Sequence, residues 1–395
     1  MIYLDVTSAA ASRVSTGVQR AIRGIYAGLA DDSEVKPVRW DFFFRCYSVL
    51  SEQEEQNLKT PFEKSTNTRS RLVDDDGFKG GGFIKSQKRR SSRHIPNQEL
   101  LASGNLLLIP DLCWDWRIYS WDRMSVFPAK KVAIFHDAMP LRIKGQALSV
   151  DKVFADYVRK LGLMDLVICI SSEVEEDLLR YWREFDIPAR PTKILHWPVP
   201  FTGNRPENPP NRQAANLVYV SRLRLRKNHL VLLDACERLW SEKMVFSMDF
   251  IGIADTVIDA FFILGKVRKL SKLGHPIRWL KHVSDEELHK AYQNASFTLF
   301  PSKMEGFGLP ILESLWHRRP VICGNNGAIG EVSSGGGCLH VDQNDPVQIA
   351  AAIRSLLGDD ALYERLYHES QARNFRTWNE YFVELRKILG LINFR

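Results

Sequence analysis

Short, predominantly apolar runs recur along this chain at spacings that leave room for a helix between them, and that alternation limits the fold more than any other feature. Ile2 to Val6, Leu106 to Ile109, Val132 to Phe135 and Leu166 to Ile170 are such runs in the first half. Leu217 to Val220, Phe246 to Ile251, Phe297 to Phe300 and Val321 to Cys323 repeat the pattern in the second. Strands without polar alternation are buried on both faces, which requires a parallel sheet covered by helices on each side. Between them, Val18, Ile22, Ile25, Tyr26 and Leu29 fall at helical spacing, as do Leu232, Leu233, Cys236, Leu239 and Trp240. The fold class is therefore α/β.

The pattern stops and restarts. Pro198 to about Arg212 is rich in Pro, Asn and Gly and reads as a linker. With 395 residues, the chain is long enough for two domains. We expect an N-terminal domain over 1–200, a linker over 201–212, a C-terminal domain over 213–377 and a final helix over 378–395. Two Rossmann-like units with parallel sheets would then face a central cleft, with ligands beyond the carboxyl ends of the strands. Residues 51–98 break the rhythm with Asp74-Asp75-Asp76, Gly80-Gly81-Gly82 and Lys88-Arg89-Arg90, and read as a mobile surface insertion. The Asp triplet is read as solvated charge, not as a metal site.

The formal net charge of +7 suits an anionic partner: a phosphate ligand, a lipid head group or a nucleic acid. No basic helix repeat or aromatic RNA motif is present, so a nucleic acid is not expected. No run reaches the length of a membrane span, and the start has neither a basic region nor a long apolar stretch. The six cysteines form no Cys-x-x-Cys pair and read as buried free thiols of a reducing cytoplasm, so no metal is expected.

Three segments at predicted strand ends carry chemistry. The strongest is Pro301 to Glu313, where a strand ends, a Gly-containing turn follows and a helix begins near Leu309. A helix N-terminus there is a ready anion site. Gly306 and Gly308 allow close approach of backbone to ligand. Glu305 in the turn and Glu313 about two turns into the helix can accept hydrogen bonds from hydroxyls of one elongated polar ligand, or serve the helix dipole. The second is Ser221 to His229, either a cationic strand-to-helix turn suited to a diphosphate or a solvated basic loop, with Arg224 and Arg226 read as plain surface charges ahead of Arg222 and Lys227, which are favoured as ligands. The third comprises Thr16-Gly17-Val18-Gln19-Arg20 and His136-Asp137, each at the end of a first-domain strand. Trp114, Trp116 and Trp121 offer flat faces to a sugar ring or lipid carrier, or belong to an aromatic core.

Together these segments resemble glycosyltransferase family 4, the retaining enzymes of GT-B fold. Glu305-Gly306-Phe307-Gly308-Leu309-Pro310 with Glu313 is similar to that family's motif of two glutamates, Arg222 and Lys227 to its diphosphate-binding pair, and Phe375-Arg376-Thr377-Trp378 to its closing aromatic segment. Thr16 to Arg20 and His136-Asp137-Ala138-Met139-Pro140 resemble a bacterial subgroup used in surface-polysaccharide assembly such as O-antigen or capsule. The resemblance implies a nucleoside diphosphate sugar as co-substrate, no cofactor and no metal. It implies donor contacts from Gly17, Arg222, Lys227, Glu305, Gly306, Phe307, Gly308, Leu309 and Glu313, with His136, Glu305, Arg222 and Lys227 acting in catalysis. Asp137, Trp114 and Trp116 would meet a saccharide or lipid-linked acceptor. The expected location is the cytoplasm or the inner face of its membrane, where Lys85 to Arg93 is either a membrane contact or a solvated loop. A GT-B epimerase or hydrolase, and a non-catalytic nucleotide-sugar-binding partner of an assembly complex, are the alternatives.

Overall fold

The computed structural model describes residues 1–11, 17–29, 32–59, 94–143, 148–201, 203–207, 215–254, 256–281 and 283–390. Thr16, Asp74 to Asp76, Lys85 to Arg93 and half of the predicted linker, 202 and 208–212, lie outside the described residues. The chain forms two compact units: Met1–Ile170 with Val174–Leu195 and Trp378–Arg395, and Ser171–Glu173 with His196–Thr377. The passage between them thus falls at Leu195 and His196, ahead of the proline-rich stretch.

The first unit holds β1 (Ile2–Asp5), β2 (Val35–Asp41), β3 (Cys46–Val49), β4 (Leu106–Ile109), β5 (Lys130–Phe135), β6 (Leu166–Cys169) and β7 (Thr192–Ile194). They lie in the order β3-β2-β1-β4-β5-β6-β7. All neighbours are parallel except β2 and β3, which pair antiparallel as a hairpin at the sheet edge. In the first strand Tyr3, Leu4 and Asp5 are buried, as is Val6 just after it, in keeping with a strand covered on both faces.

Part of the segment read as an insertion is regular structure. Glu52–Lys59 is a helix that buries Leu58, and His94 bridges to Ser48 of β3. The final helix, Trp378–Gly390, belongs to the first unit and packs on the helix Gly17–Leu29. The rings of Trp378 and Phe382 lie where a Cβ on Gly24 or Gly28 would stand, at 2.2 and 1.8 Å. Two glycines one turn apart therefore form the groove that admits these aromatics.

The second unit holds β8 (Asn216–Val220), β9 (Ser247–Ile251), β10 (Ile277–Leu280), β11 (Phe297–Phe300), β12 (Val321–Cys323) and β13 (Cys338–His340). All pairs are parallel, in the order β10-β9-β8-β11-β12-β13. That order runs outward one way from β8 to β10, then outward the other way from β11 to β13. The reversal between β8 and β11 is a topological switch point, where the connections that follow the two strands lead to opposite faces of the sheet.

Candidate functional site

Two of the sequence-predicted segments meet at that switch point. Because β8 and β11 are parallel neighbours, the turns that follow them emerge at the same edge. The backbone N–H of Lys303 donates to the Arg226 carbonyl at 3.0 Å, stitching the turns together. Arg226 returns the link, with Nη1 donating to the Met304 carbonyl at 3.2 Å and to Glu305 Oε2 at 3.4 Å. Lys227 Nζ donates to Glu305 Oε1 and lies 5.6 Å from the centre of the Phe300 ring. The hydroxyl of Tyr219, from β8, donates to the Lys227 carbonyl at 2.7 Å and holds the basic turn down.

Glu305 is thus a nearly buried carboxylate, 10% exposed, between two cations. Burial pushes its pKa up, but the charges of Lys227 and then Arg226, with the hydrogen bonds from Lys227 and Ser302, outweigh it and hold the carboxyl below its ordinary value. It is an acceptor-only group at neutral pH, suited to hydroxyl donors and not to proton delivery.

Gly308 has a φ of +121° and precedes the helix Leu309–Trp316, whose first turn carries Pro310. Only glycine takes that φ without strain. The result is an abrupt entry into the helix directly from the Glu305 turn.

Glu313 sits inside this helix and is 3% exposed. The Tyr292 hydroxyl donates to its Oε2 at 2.7 Å. One turn later, His317 Nδ1 donates to the Glu313 carbonyl at 2.7 Å, so its Nε2 must accept from His289 Nδ1 at 2.9 Å. Burial drives the His317 pKa down to about 3, which keeps the imidazole neutral in this arrangement. Tyr292 stacks on His317 with ring centres 4.9 Å apart. The second glutamate is therefore set by a tyrosine and two histidines that the motif alone does not reveal.

Arg222 is half-buried directly after β8, on the same turn as Lys227. One expectation needs correction: Arg226 is not a plain surface charge, because it joins Lys227 on Glu305. The cause is local geometry. Leu225–Lys227 is a single 3-10 turn ended by Asn228 in the left-handed region at φ 63°, and the Asn228 amide is anchored on the Gln343 carbonyl. That tight turn brings two consecutive cations to one carboxylate.

In the first unit, the reversal of strand order lies between β1 and β4, and it too is occupied by charge. Arg117, 2% exposed, donates from Nη1 to Asp5 at 3.1 Å, from Nη2 to Asp111 at 2.8 Å, and to Asp115 at 2.8 Å. Asp5 also accepts from Tyr47 Oη at 2.9 Å and Asp111 from Ser8 Oγ at 2.8 Å. Burial raises the Asp5 pKa despite Arg117, whereas for Asp111 the Arg117 charge and hydrogen bonds outweigh burial and lower it. None of these residues stands out in the sequence.

The first unit also holds the remaining predicted residues. His136, at the end of β5, is 3% exposed, and its Nε2 donates to the Pro110 carbonyl at 2.7 Å. Burial lowers its pKa, so the ring is neutral at pH 7. Asp137 accepts from the Met139 N–H at 3.0 Å and shapes the following turn. Trp114 and Trp116 are 42% and 79% exposed on the segment that Arg117 anchors, whereas Trp121 is 2% exposed and belongs to the core, not to a ligand-facing surface. Gly17 is the exposed first residue of its helix. Among the described residues there is no group of three or more His, Cys, Asp or Glu able to hold a metal, and no helix long and apolar enough to cross a membrane.

Residues 201–373 match the family described as Glycosyl transferases group 1. Serotype-specific mannosyltransferase WbdA of Escherichia coli is 28% identical over 331 residues, which cover 76% of this chain and 40% of that protein. O-antigen chain mannosyltransferase B of Escherichia coli is 36% identical over 148 residues, 37% of this chain and 38% of that protein. The chain thus spans about 40% of the length of these relatives. Among solved structures, sucrose-phosphate synthase from Thermosynechococcus elongatus aligns over 99% of this chain and 98% of its own at 16% identity, with a TM-score of 0.66. Anabaena HepE, solved with UDP and glucose, covers 98% of this chain and 99% of its own at 13% identity and a TM-score of 0.65. The fold is GT-B, two Rossmann-like units built on parallel sheets.

Proposed function

We propose, from the match of residues 201–373 to the family described as Glycosyl transferases group 1, that the chain moves a sugar from a nucleoside diphosphate sugar to a saccharide or lipid-linked saccharide in bacterial polysaccharide synthesis, with retention of anomeric configuration and without a metal. One observation carries this reading: Glu305 is held ionised by Lys227 and Arg226 at the switch point of the second sheet, beside a helix N-terminus. The resemblance to an O-antigen chain mannosyltransferase supports the acceptor class.

In this scheme Glu313 and its helix hold the ribose hydroxyls of the donor. Glu305 accepts hydrogen bonds from hydroxyls of the transferred sugar, and the N–H groups of Phe307, Gly308 and Leu309 meet the donor at the helix entry. Gly17 gives the donor close passage to backbone. Arg222, Lys227 and Arg226 neutralise the charge that grows on the leaving diphosphate, so protein cations do what a metal does elsewhere. The bond from the anomeric carbon to the diphosphate oxygen breaks with oxocarbenium character, and the acceptor oxygen bonds to the same face. The acceptor proton passes to the departing phosphate oxygen, which balances the step without a protein base. His136, fixed on the Pro110 carbonyl, orients the sugar as a neutral imidazole, while Asp137, Trp114 and Trp116 serve the acceptor.

Product stereochemistry tests the scheme. Incubation with a donor of defined anomeric configuration and excess chelator should give a glycoside of the same configuration by NMR. An inverted product, or transfer abolished by the chelator, would overturn it.

A further inference from the structure

Glu313 lies deep in the second unit, and the groups that hold it form one connected network. Its neighbour on the helix Leu309–Trp316, Ser314, accepts from Thr298 Oγ1 of β11 at 2.7 Å and donates to the Arg319 carbonyl at 3.0 Å. The Arg319 guanidinium donates in turn to the Tyr292 carbonyl at 3.1 Å and the Gln293 carbonyl at 2.6 Å, at the end of the helix Asp285–Asn294. These bonds tie the two helices together where the Tyr292 hydroxyl donates to Glu313 Oε2 at 2.7 Å. Ser314 and Arg319 are inaccessible, and Tyr292 is 1% exposed.

The tyrosine ring is held as firmly as its backbone. His317 stacks on it with an interplanar angle of 20°. His317 is fixed in its own place, accepting from His289 at 2.9 Å and donating to the Glu313 carbonyl at 2.7 Å. Phe201 packs on His289 with ring centres 4.2 Å apart and closes the stack. A buried carboxylate costs stability that an apolar side chain of the same volume would not cost. One that is aimed by this many buried groups is built to accept from a ligand at a set place, and such a site is as selective as its supporting residues are rigid.

We propose that Tyr292 is a positioning residue that sets the preference of the donor site for ribose over 2′-deoxyribose, by aiming the Glu313 carboxylate at the ribose hydroxyls. The inference rests on the donor-site reading, in which Glu313 meets the ribose, and Tyr292 acts through that carboxylate.

Calorimetry with UDP and GDP, each beside its 2′-deoxy form, tests it. Wild type should bind the ribonucleotide about tenfold more tightly than the deoxynucleotide, the worth of one hydrogen bond to a charged acceptor. Tyr292→Phe keeps the ring and its stacking but removes the donor, and should lower that preference to about threefold or less. The ratio reads positioning and not folding, because loss of folded protein weakens both forms alike. Glu313→Gln should lower the preference as well, and adding Tyr292→Phe to it should change nothing further. If Tyr292→Phe does not fold, His289→Ala, at the half-buried end of the network, should still lower the preference about twofold. A wild-type preference that survives in Tyr292→Phe, or a further loss when Tyr292→Phe is added to Glu313→Gln, would overturn this inference alone. Wild type that binds both forms equally, or neither diphosphate, would overturn the donor-site reading and the inference with it.

Discussion

Lys227→Ala is expected to lower kcat/KM for sugar transfer by about two to three orders of magnitude, the usual cost of deleting one stabiliser of transition-state charge. The loss should fall mainly on kcat, because charge on the leaving diphosphate is greatest at bond breaking. A second signature separates this role from simple loss of a surface cation. Lys227 is the largest influence holding the Glu305 carboxyl below its ordinary value against burial. Without Lys227, burial is opposed only by Arg226 and the Ser302 hydrogen bond, and the Glu305 pKa must rise. The acid limb of the pH–rate profile should therefore move to higher pH in Lys227→Ala, since the ionised carboxylate is the required form. A variant within about tenfold of wild type, with an unmoved acid limb, would remove Lys227 from the mechanism.

Arg117→Met should have the largest effect on stability. The substitution leaves Asp5, Asp111 and Asp115 without their shared guanidinium, and Asp5 and Asp111 are buried. Removing one side of a buried ion pair costs about 3–5 kcal/mol, because the abandoned charge has no solvent to turn to. Asp5 can take a proton, consistent with its already raised pKa, whereas Asp111 is held ionised in the wild type chiefly by Arg117. The defect should therefore ease as pH falls toward the carboxylate range and the carboxyls are neutralised. Urea denaturation followed at two pH values reads both effects. A loss below about 1 kcal/mol would mean that water reaches this cluster and the strand ends do not depend on it.

The two glycosyltransferase-like segments of the second unit were legible because their chemistry is local in sequence. The turn, the glycines and the helix start that surround Glu305 lie within Pro301 to Leu309. The Arg117 cluster was not, since Arg117 and Asp5 are 112 residues apart and only the neighbouring placement of β1 and β4 unites them. Arg226 was misread for a related reason: whether a cation in a basic turn faces solvent or a carboxylate depends on the 3-10 turn and the left-handed Asn228, which have no distinctive local signal.

The strands divide in the same way. The eight apolar runs named from sequence all fall on strands, because strands buried on both faces are predominantly apolar. β2 carries Lys36, Pro37 and Arg39, and Pro argues against a ladder position, so it was not seen. β3 was hidden by its turn, whose three phenylalanines look like strand rather than hairpin tip. β7, β10 and β13 lie at or near sheet edges and are largely half-exposed, which removes the continuous apolar signal.

Calorimetric titration of nucleoside diphosphates and their sugars against the purified chain, beside Arg222→Ala and Glu313→Ala, tests the central claim most directly. The account predicts binding of one nucleotide class at about micromolar affinity, near −8 kcal/mol, and weaker binding in both variants. Well-folded wild type that binds no diphosphate, or variants that bind as tightly as wild type, would contradict the assignment of the donor site to the turns after β8 and β11.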